Sequence, residues 1–297
     1  MALTKWNQVK KSTKSNFITF SIVIGFYIVV QLLAAAGVLT NSFSGQLVPI
    51  CAYVVMAVSL NLVVGFLGEL SLGHAGFMSV GAFSGTLVWV SLYDVAPHWL
   101  ALILAFVVGG AMAGIFGVIV GVPVLRLSGD YLAIVTLAFG EIIKNVLNTT
   151  YLGLDSSGLH FSLKDAASMN LADDGRVIIN GALGITNTPK DANFTVGFIL
   201  IMLMLFIVLN LIKSRTGRAI MSIRDNRIAS ESVGINITKY KLVAFSISAA
   251  LAGVAGAFYA HNFSSLVAQK FDYNTSILVL VFVVLGGIGN IRGSIIA

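Results

Sequence analysis

The sequence predicts an all-α fold, a polytopic bundle of about eight helices that cross a lipid bilayer. Two observations carry this prediction. Only 10% of the 297 residues are Asp, Glu, Lys or Arg, whereas soluble domains are roughly a quarter charged. Apolar runs also recur along the chain, each close to the roughly 20 residues that a transmembrane helix needs. A soluble protein could bury one or two such helices, but not this many.

The predicted spans are separated by polar or glycine-rich connections. In order, they are residues 17–39, 47–67, 69–93, 99–122, 131–150, 194–212, 242–260 and 275–291. The first is longer than the about 7–15 apolar residues of a signal-peptide core, so we interpret it as a retained span. Residues 17–297 are therefore predicted to form a single transmembrane domain that follows a basic tail at residues 1–16.

Basic residues at the ends of the spans predict the orientation. The N-terminal tail has four lysines and no acidic residue, which places it in the cytoplasm under the positive-inside rule. Those lysines are Lys5, Lys10, Lys11 and Lys14. Counting spans from the tail puts the loop 151–193 outside and the loop 213–241 inside, provided that the glycine-rich segment 69–93 crosses fully.

The loop 213–241, called the basic island below, holds seven of the eighteen Lys and Arg. They are Lys213, Arg215, Arg218, Arg224, Arg227, Lys239 and Lys241. Within it, "AIMSIRDNRIASESVG" has no Pro and ends in Gly, which predicts one helix ending at Gly234. Ile220 and Ile223 lie on one side of that helix, and Met221 and Ile228 lie on another. The charge can serve simply to anchor the topology, but apolar residues on several faces favour docking into a partner protein.

Ionisable residues inside the predicted spans are few. Glu141 lies about 15 Å along the helix that starts near Tyr131, close to mid-bilayer, where a charge costs on the order of 2.5–3.5 kcal/mol. Lys144 follows three residues later and can meet it on the same face. Two interpretations stay open. The two residues form a mutually neutralising structural pair, or they form a polar patch or gate for a zwitterionic substrate.

The remaining ionisable groups predict less. Glu69 and His74 lie near the cytoplasmic end of their span, where we expect them to satisfy local backbone groups rather than contact substrate. The other histidines, His98, His160 and His261, are scattered, so the sequence predicts no metal site. The net charge of +6 reflects membrane topology rather than a nucleic-acid partner.

Four segments resemble the ABC importer permeases for branched-chain amino acids, the LivM type. "GRAIMSIRDNRIASESVGINITKYKLVAFSISAALAGVAGAFYA" (217–260) is similar to the coupling-loop region of that family, and Glu231 with Gly234 matches its E-x-x-G. The other three follow the family order. They are "NLVVGFLGELSLGHAGFMSVGAFSG" (61–85), "LRLSGDYLAIVTLAFGEIIKNVLN" (125–148) and "VLGGIGNIRGSIIA" (284–297).

The resemblance implies a pore subunit of the cell (inner) membrane rather than an enzyme. Its partners would be two cytoplasmic ATPase subunits, a second related permease and an extracytoplasmic substrate-binding protein. ATP and Mg would be bound by the ATPase, and this chain would bind no cofactor. In agreement, the sequence has no G-x-x-x-x-G-K-[ST] phosphate loop.

The resemblance also implies site residues. The coupling loop at residues 213–239 would contact the ATPase. Its candidate contacts are Arg218, Arg224, Asp225, Glu231 and Gly234. The segment "GELSLGHAG" would be a broken helix near the substrate route, a device known in transporters. The pathway candidates are Glu69, Gly73, His74, Gly76, Glu141 and Lys144.

Two features differ from the family pattern. The loop 151–193 lacks a compact glycine-rich form, and the chain ends in the apolar "GSIIA", where family members continue through another span. An alternative function is an ion-coupled secondary transporter of a small zwitterionic solute, with Glu141 and Lys144 as its coupling site. That transporter would need no soluble partner. A membrane enzyme is disfavoured, because the spans contain no paired Asp and the sequence has no H-E-x-x-H motif.

Overall fold

Long apolar helices make up most of the computed structural model. It describes residues 11–93, 97–127, 129–155, 158–169, 171, 175–186, 188 and 190–297. Residues 1–10, which are most of the predicted basic tail, lie outside the described residues. The helices are α1 (Lys11–Ala35), α2 (Asn41–Asn61), α3 (His74–Leu92), α4 (His98–Val124), α5 (Asp130–Asn148), α6 (Phe194–Lys213), α7 (Arg215–Asp225), α8 (Arg227–Ser232), α9 (Ile237–Ala260), α10 (Tyr273–Leu285) and α11 (Ile291–Ile296).

The predicted bundle of about eight spans is confirmed. Among the described residues, seven helical segments are long and apolar enough to cross a membrane. They are Asn16–Ala35, Ser42–Leu67, His74–Leu92, His98–Val124, Phe194–Lys213, Ile237–Ala260 and Ala268–Leu285. Helix α5 is the eighth, and it is less apolar because Asp130, Glu141 and Lys144 lie within it.

The first span ends earlier than predicted. Helix α1 stops at Ala35 rather than at residue 39, because Gly37 takes a left-handed conformation with φ +68°. The N–H of Val38 then donates to the carbonyl of Leu33 at 3.2 Å. This is the hydrogen bond by which a glycine closes a helix C-terminus.

Two short non-helical segments interrupt the transmembrane helices. The first is the predicted glycine-broken segment. Here α2 continues as a π-helical segment at Leu62–Leu67, which ends at Gly68 (φ +78°), and α3 begins only at His74. We call residues 68–73 the first break. It corrects the prediction of one continuous span from residue 69 to residue 93.

The second break was not predicted. The expected span 275–291 is wrong as a single helix, since α10 ends at Leu285 and α11 begins at Ile291. Gly287 and Gly289 in between have φ values of +93° and +79°, a backbone conformation that glycine adopts at little cost. We call residues 286–290 the second break.

The loop 151–193 contains short strands that the all-α prediction did not include. Strands β1 (Tyr151–Asp155), β2 (Gly158–Ser162) and β3 (Arg176–Asn180) form an antiparallel sheet in the order β2-β1-β3. Strand β4 (Ile185–Thr186) pairs with β5 (Ser265–Leu266) after α9. Five-residue strands are too short to stand out beside the apolar helices, so the sequence pattern missed them.

Contacts of the segment from Glu69 to Trp89 show that it runs from one end of the bundle to the other. Before α3 begins, Glu69 pairs with Lys241, the last residue of the basic island, at what we call the basic end. Near its other terminus, Trp89 contacts His261, with 6.1 Å between ring centroids, at the end that carries the strands, which we call the sheet end. The glycine-rich segment therefore runs the length of the bundle, as the predicted orientation requires, and the loops 151–193 and 213–241 lie at opposite ends.

Small residues let the central helices α3, α4 and α9 pack closely. A Cβ atom added to Gly81 of α3 would lie 2.1 Å from the carbonyl oxygen of Gly253 in α9. A Cβ on Gly253 would lie 2.3 Å from the Cβ of Ala113 in α4. Only glycine fits such spacing, which is typical of packed membrane helices.

Candidate functional site

The basic island folds into two helices rather than the single helix that we predicted. Asn226 separates α7 from α8, with φ −156°. Its side-chain oxygen accepts a hydrogen bond from the N–H of Ala229 at 3.0 Å. An asparagine that caps a new helix in this way ends the preceding one, which accounts for the difference.

The predicted end of the island helix at Gly234 is confirmed. Gly234 has φ +85°, and its N–H donates to the carbonyl of Glu231 at 3.0 Å. The N–H of Ile235 donates to the carbonyl of Ser230 at 3.1 Å. These two bonds form a Schellman motif, which requires a left-handed residue at this position.

The apolar residues of the island divide between two surfaces. Ile220 and Ile223 are 1% and 4% exposed and pack against the chain itself, whereas Ile228 and Val233 are 82% and 74% exposed. Four predicted coupling residues are exposed as well. These are Arg218, Asp225, Glu231 and Gly234. The fifth, Arg224, is also exposed, with 39% of its side chain accessible. The structure thus presents one mixed apolar and charged surface at the basic end, which we call the island surface.

Arg224 takes a different position from the other predicted coupling residues. Its Nη1 donates to the carbonyl oxygen of Gly65 in the π-helical segment at 2.9 Å. Its Nε and Nη2 donate to Oδ1 of Asp225 at 3.0 and 2.8 Å. Arg224 therefore connects the island to the transmembrane bundle, next to the first break.

Glu69 and His74 make specific contacts in the buried part of the molecule. Glu69 forms an ion pair with Lys241, rather than binding only the local backbone groups that we expected. His74 is 1% exposed, and its Nε2 lies 2.9 Å from the hydroxyl oxygen of Ser59. Among the described residues, its Nδ1 has no hydrogen-bond partner. In this conformation both side chains are shielded from solvent.

Gly73 and Gly76 lie where the first break and the start of α3 pack closely against α5. A Cβ on Gly73 would lie 2.2 Å from the carbonyl oxygen of Thr136, and one on Gly76 would lie 2.8 Å from the Cα of Gly140. The hydroxyl of Thr136 also accepts a hydrogen bond from the N–H of Leu72 at 3.0 Å. The two glycines allow the first break to lie directly against α5.

The predicted contact between Glu141 and Lys144 is confirmed. Their side chains form an ion pair on α5 and are 28% and 17% exposed, with Lys144 the less exposed. The second oxygen of Glu141 accepts the N–H of Tyr273 at 3.1 Å. Glu141 therefore binds both a lysine and the N-terminus of α10.

Two further residues, Asp272 and Ser276, belong to this region and were not predicted from the sequence. Asp272 caps α10 by accepting the N–H of Thr275 at 3.0 Å, and the D-x-x-T pattern before an apolar run could have indicated it. The hydroxyl of Ser276 accepts the N–H of Ala75 at 3.0 Å. The N-termini of α3 and α10 thus meet beside Glu141.

We call this region the mid-depth cluster. It comprises Glu141, Lys144, Asp272, Tyr273 and Ser276. A cleft with about 150 Å³ of empty space lies between α3, α5 and α10 here, and none of it is wide enough for a water molecule. This cleft is therefore closed to water.

Comparison with known proteins identifies the family. Residues 42–297 match the family model of the branched-chain amino acid transport system / permease component. The chain belongs to this permease family. It is accordingly an integral, multi-pass membrane protein and a transport component, and the family match does not favour an ion-coupled secondary transporter.

Individual relatives agree with the family match. The chain is 37% identical to the high-affinity branched-chain amino acid transport system permease protein LivM of Salmonella typhimurium strain LT2, over 65% of this chain and 46% of that protein. It is 36% identical to LivM of Escherichia coli K12, over 62% of this chain and 45% of that protein. The chain thus spans about half the length of these curated relatives.

A more distant relative differs in its substrate. The fructose import permease protein FruG of Bifidobacterium longum is 28% identical, over 40% of this chain and 37% of that protein. No solved structure matches the chain. Relatives of this chain are therefore named for different solutes.

Proposed function

We propose that this chain is the pore-forming permease subunit of an ABC importer for branched-chain or similarly hydrophobic amino acids, located in the inner membrane. The observation that carries the proposal is the island surface. It is exposed at the basic end of a transmembrane bundle, and Arg224 of the same island hydrogen-bonds Gly65 in the π-helical segment that leads into the first break. An importer needs such a connection between a soluble energy source and its membrane helices.

The composition of the island surface suits a protein partner. Ile228 and Val233 supply exposed apolar contacts, and Glu231 supplies an exposed charge between them in the sequence. Arg218 supplies an exposed charge of opposite sign on the preceding helix. A lipid-facing helix would present a single apolar face, whereas here apolar and charged groups alternate on a loop. We propose that cytoplasmic ATPase subunits, which would hold ATP and Mg, contact this surface, and that this chain itself binds no cofactor.

The mid-depth cluster suits a zwitterionic solute. The N-terminus of a helix carries a partial positive charge, which attracts carboxylates, and broken helices in transporters use it to hold the carboxylate of a substrate. Helices α3 and α10 both begin here. An amino acid could place its carboxylate near Lys144 and these N-termini, and its ammonium group near Glu141.

The exposed side of the cluster supports our proposal for the position of the pathway. Tyr273 is 49% exposed, and the amide of Asn274 is exposed and hydrogen-bonds Asp272 at 2.8 Å. Polar groups at this depth face water or protein rather than lipid. We propose that a second, related permease packs opposite this side, so that the two chains enclose the pathway. An extracytoplasmic binding protein would then deliver the solute at the sheet end.

Purification in mild detergent followed by reconstitution tests the proposal. We expect an ATP-hydrolysing subunit and a second permease to purify with this chain, and the complex to accumulate leucine in vesicles when ATP is supplied on the island side. Fructose serves as the control solute. Leucine uptake that follows an ion gradient and needs no ATP would refute the proposal. ATP-driven uptake of fructose in place of leucine would refute the substrate assignment alone.

A further inference from the structure

Asn61 is a buried residue that joins the second break to the π-helical segment leading into the first break. Asn61 is fully buried, and its Oδ1 accepts the N–H of Gly289 in the second break at 2.9 Å. Its Nδ2 donates to the hydroxyl of Ser294 in α11 at 2.8 Å. Asn61 is the last residue of α2 before the π-helical segment. One side chain therefore fixes the second break against the segment that leads into the first.

Arg224 holds the same segment from the island side. Besides its hydrogen bond to the Gly65 carbonyl, its side chain passes so close to Gly68 that an added Cβ there would lie 2.6 Å from Arg224 Cγ. A Cβ on Gly289 would lie 3.9 Å from Arg224 Nη1. The arginine side chain thus reaches both breaks from a helix of the basic island.

Asn61, Gly65 and Gly289 are packed too closely to leave room for another atom. A Cβ on Gly65 would lie 1.9 Å from Asn61 Oδ1 and 2.4 Å from the Gly289 nitrogen. Movement of one of these groups must therefore displace the others. Close-packed contacts of this kind respond to a shift as a unit rather than by gradual deformation.

The π-helical segment is a suitable place for such a movement. Its hydrogen bonds span five residues rather than four, a form that is rare and is found frequently at functional sites. Gly65 belongs to its last turn, where carbonyl groups lack helical partners. A cation that binds such a carbonyl stabilises the helix end, so withdrawal of the Arg224 guanidinium would weaken this turn.

We propose that Arg224 is a positioning residue that transmits displacement of α7 to both breaks, with Asn61 as the link between them. The inference rests on the proposed function, because an ATPase must move the island. It assigns the function of Arg224, whose side chain is 39% exposed, to its contacts with the bundle rather than to contact with the partner. Helices α3 and α11, which begin at the two breaks, would shift together when the joint moves.

The test uses the reconstituted complex and three readouts. They are the amount of ATPase that purifies with the permease, the rate of ATP hydrolysis, and the amount of leucine taken up per ATP hydrolysed. For Arg224→Gln we expect the first two to stay within twofold of wild type and uptake per ATP to fall at least tenfold. Arg224→Lys, which keeps a donor for the Gly65 carbonyl, should restore at least half of the coupling. Arg126→Gln, an exposed arginine outside the basic island, removes an equal charge as the control and should leave all three readouts unchanged.

The outcomes separate the joint from the island surface. If Arg224→Gln loses the ATPase during purification, Arg224 contacts the partner and the proposal is overturned. It is also overturned if uptake per ATP stays within twofold of wild type. If wild type itself shows no ATP-driven uptake, the proposed function fails instead. Asn61→Ala removes the link without touching the island and should lower uptake per ATP by a similar factor. Should Arg224→Gln not fold, Asn61→Ala decides, and wild-type coupling in that variant overturns the proposal.

Discussion

Lys241 and Glu69 form a buried ion pair although 172 residues separate them in the sequence. Their side chains are 4% and 13% exposed. The pair joins the start of α9, at the end of the basic island, to the first break. Lys241 thus contributes to holding the structure together, whereas the exposed Lys239 two residues earlier makes no comparable buried contact among the described residues.

The buried pair predicts a large effect on stability. Lys241→Met leaves the Glu69 carboxylate buried without its cation, and removal of one partner from such a pair typically costs about 3–5 kcal/mol. We expect the free energy of unfolding in detergent to fall by that amount. The double variant Lys241→Met with Glu69→Leu should recover most of the loss. Lys239→Met is the control, and an equal loss in that variant would contradict the prediction.

The island surface predicts a defect in energy coupling. Glu231→Lys reverses an exposed charge, and Gly234→Pro cannot adopt the φ of +85° found there, because proline fixes φ near about −65°. We expect the double variant to reach the membrane in normal amounts and to lose ATP-driven uptake. Ser232→Ala, an exposed neighbour, is the control. Uptake at the wild-type rate in the double variant would show that α8 has no coupling role.

The mid-depth cluster predicts a defect in transport rather than in assembly. Glu141→Gln keeps the shape of the side chain but removes the charge that pairs with Lys144. We expect wild-type amounts of folded chain and a reduction of uptake by about tenfold or more, comparable to the loss of about 1.4 kcal/mol or more in a binding or barrier energy. Ile142→Leu on the same helix, 54% exposed, should transport normally. Unchanged kinetics in Glu141→Gln would leave the pair with a structural role only.

The glycine contacts predict a contrast between two substitutions. Gly253→Ala places a Cβ 2.3 Å from Ala113 Cβ, and overpacking of this kind typically costs about 1–3 kcal/mol. Gly25→Ala on α1 meets no atom within 4 Å and should change stability by less than about 0.5 kcal/mol. Thermal unfolding of both variants in detergent checks the difference. Equal effects would show that α4 and α9 do not pack tightly at Gly253.

Features that depend on nearby residues were predictable from the sequence, whereas contacts between residues far apart in the sequence were not. Apolar runs located the spans, and the spacing of Glu141 and Lys144 indicated their ion pair, because residues three apart meet on one helix face. Gly234 likewise indicated the end of α8. No local pattern could pair Glu69 with Lys241, or Arg224 with Gly65, since these contacts depend on how helices remote in sequence pack.

The two helix breaks also show how far the sequence pattern could predict the structure. Glycines in "GELSLGHAG" predicted the first break, whereas the glycines at residues 286–290 are equally compatible with the end of an apolar span. Asn226 is equally compatible with the interior of one helix, because a single sequence does not distinguish a capping asparagine from an interior one. The coupling role of Arg218, Asp225, Glu231 and Gly234 stays a prediction, as does the role of the mid-depth cluster in transport.

The orientation of the basic island is the claim on which the proposed function depends most directly. Single cysteines at two exposed positions, Ile228→Cys on the island and Phe161→Cys on strand β2, report the two ends of the bundle in a Cys51→Ser background. We expect an impermeant maleimide to label the Phe161→Cys chain in intact spheroplasts and the Ile228→Cys chain only in inverted vesicles. Labelling of Ile228→Cys in intact spheroplasts would place the island outside, where no ATPase could reach it, and would contradict the proposed function.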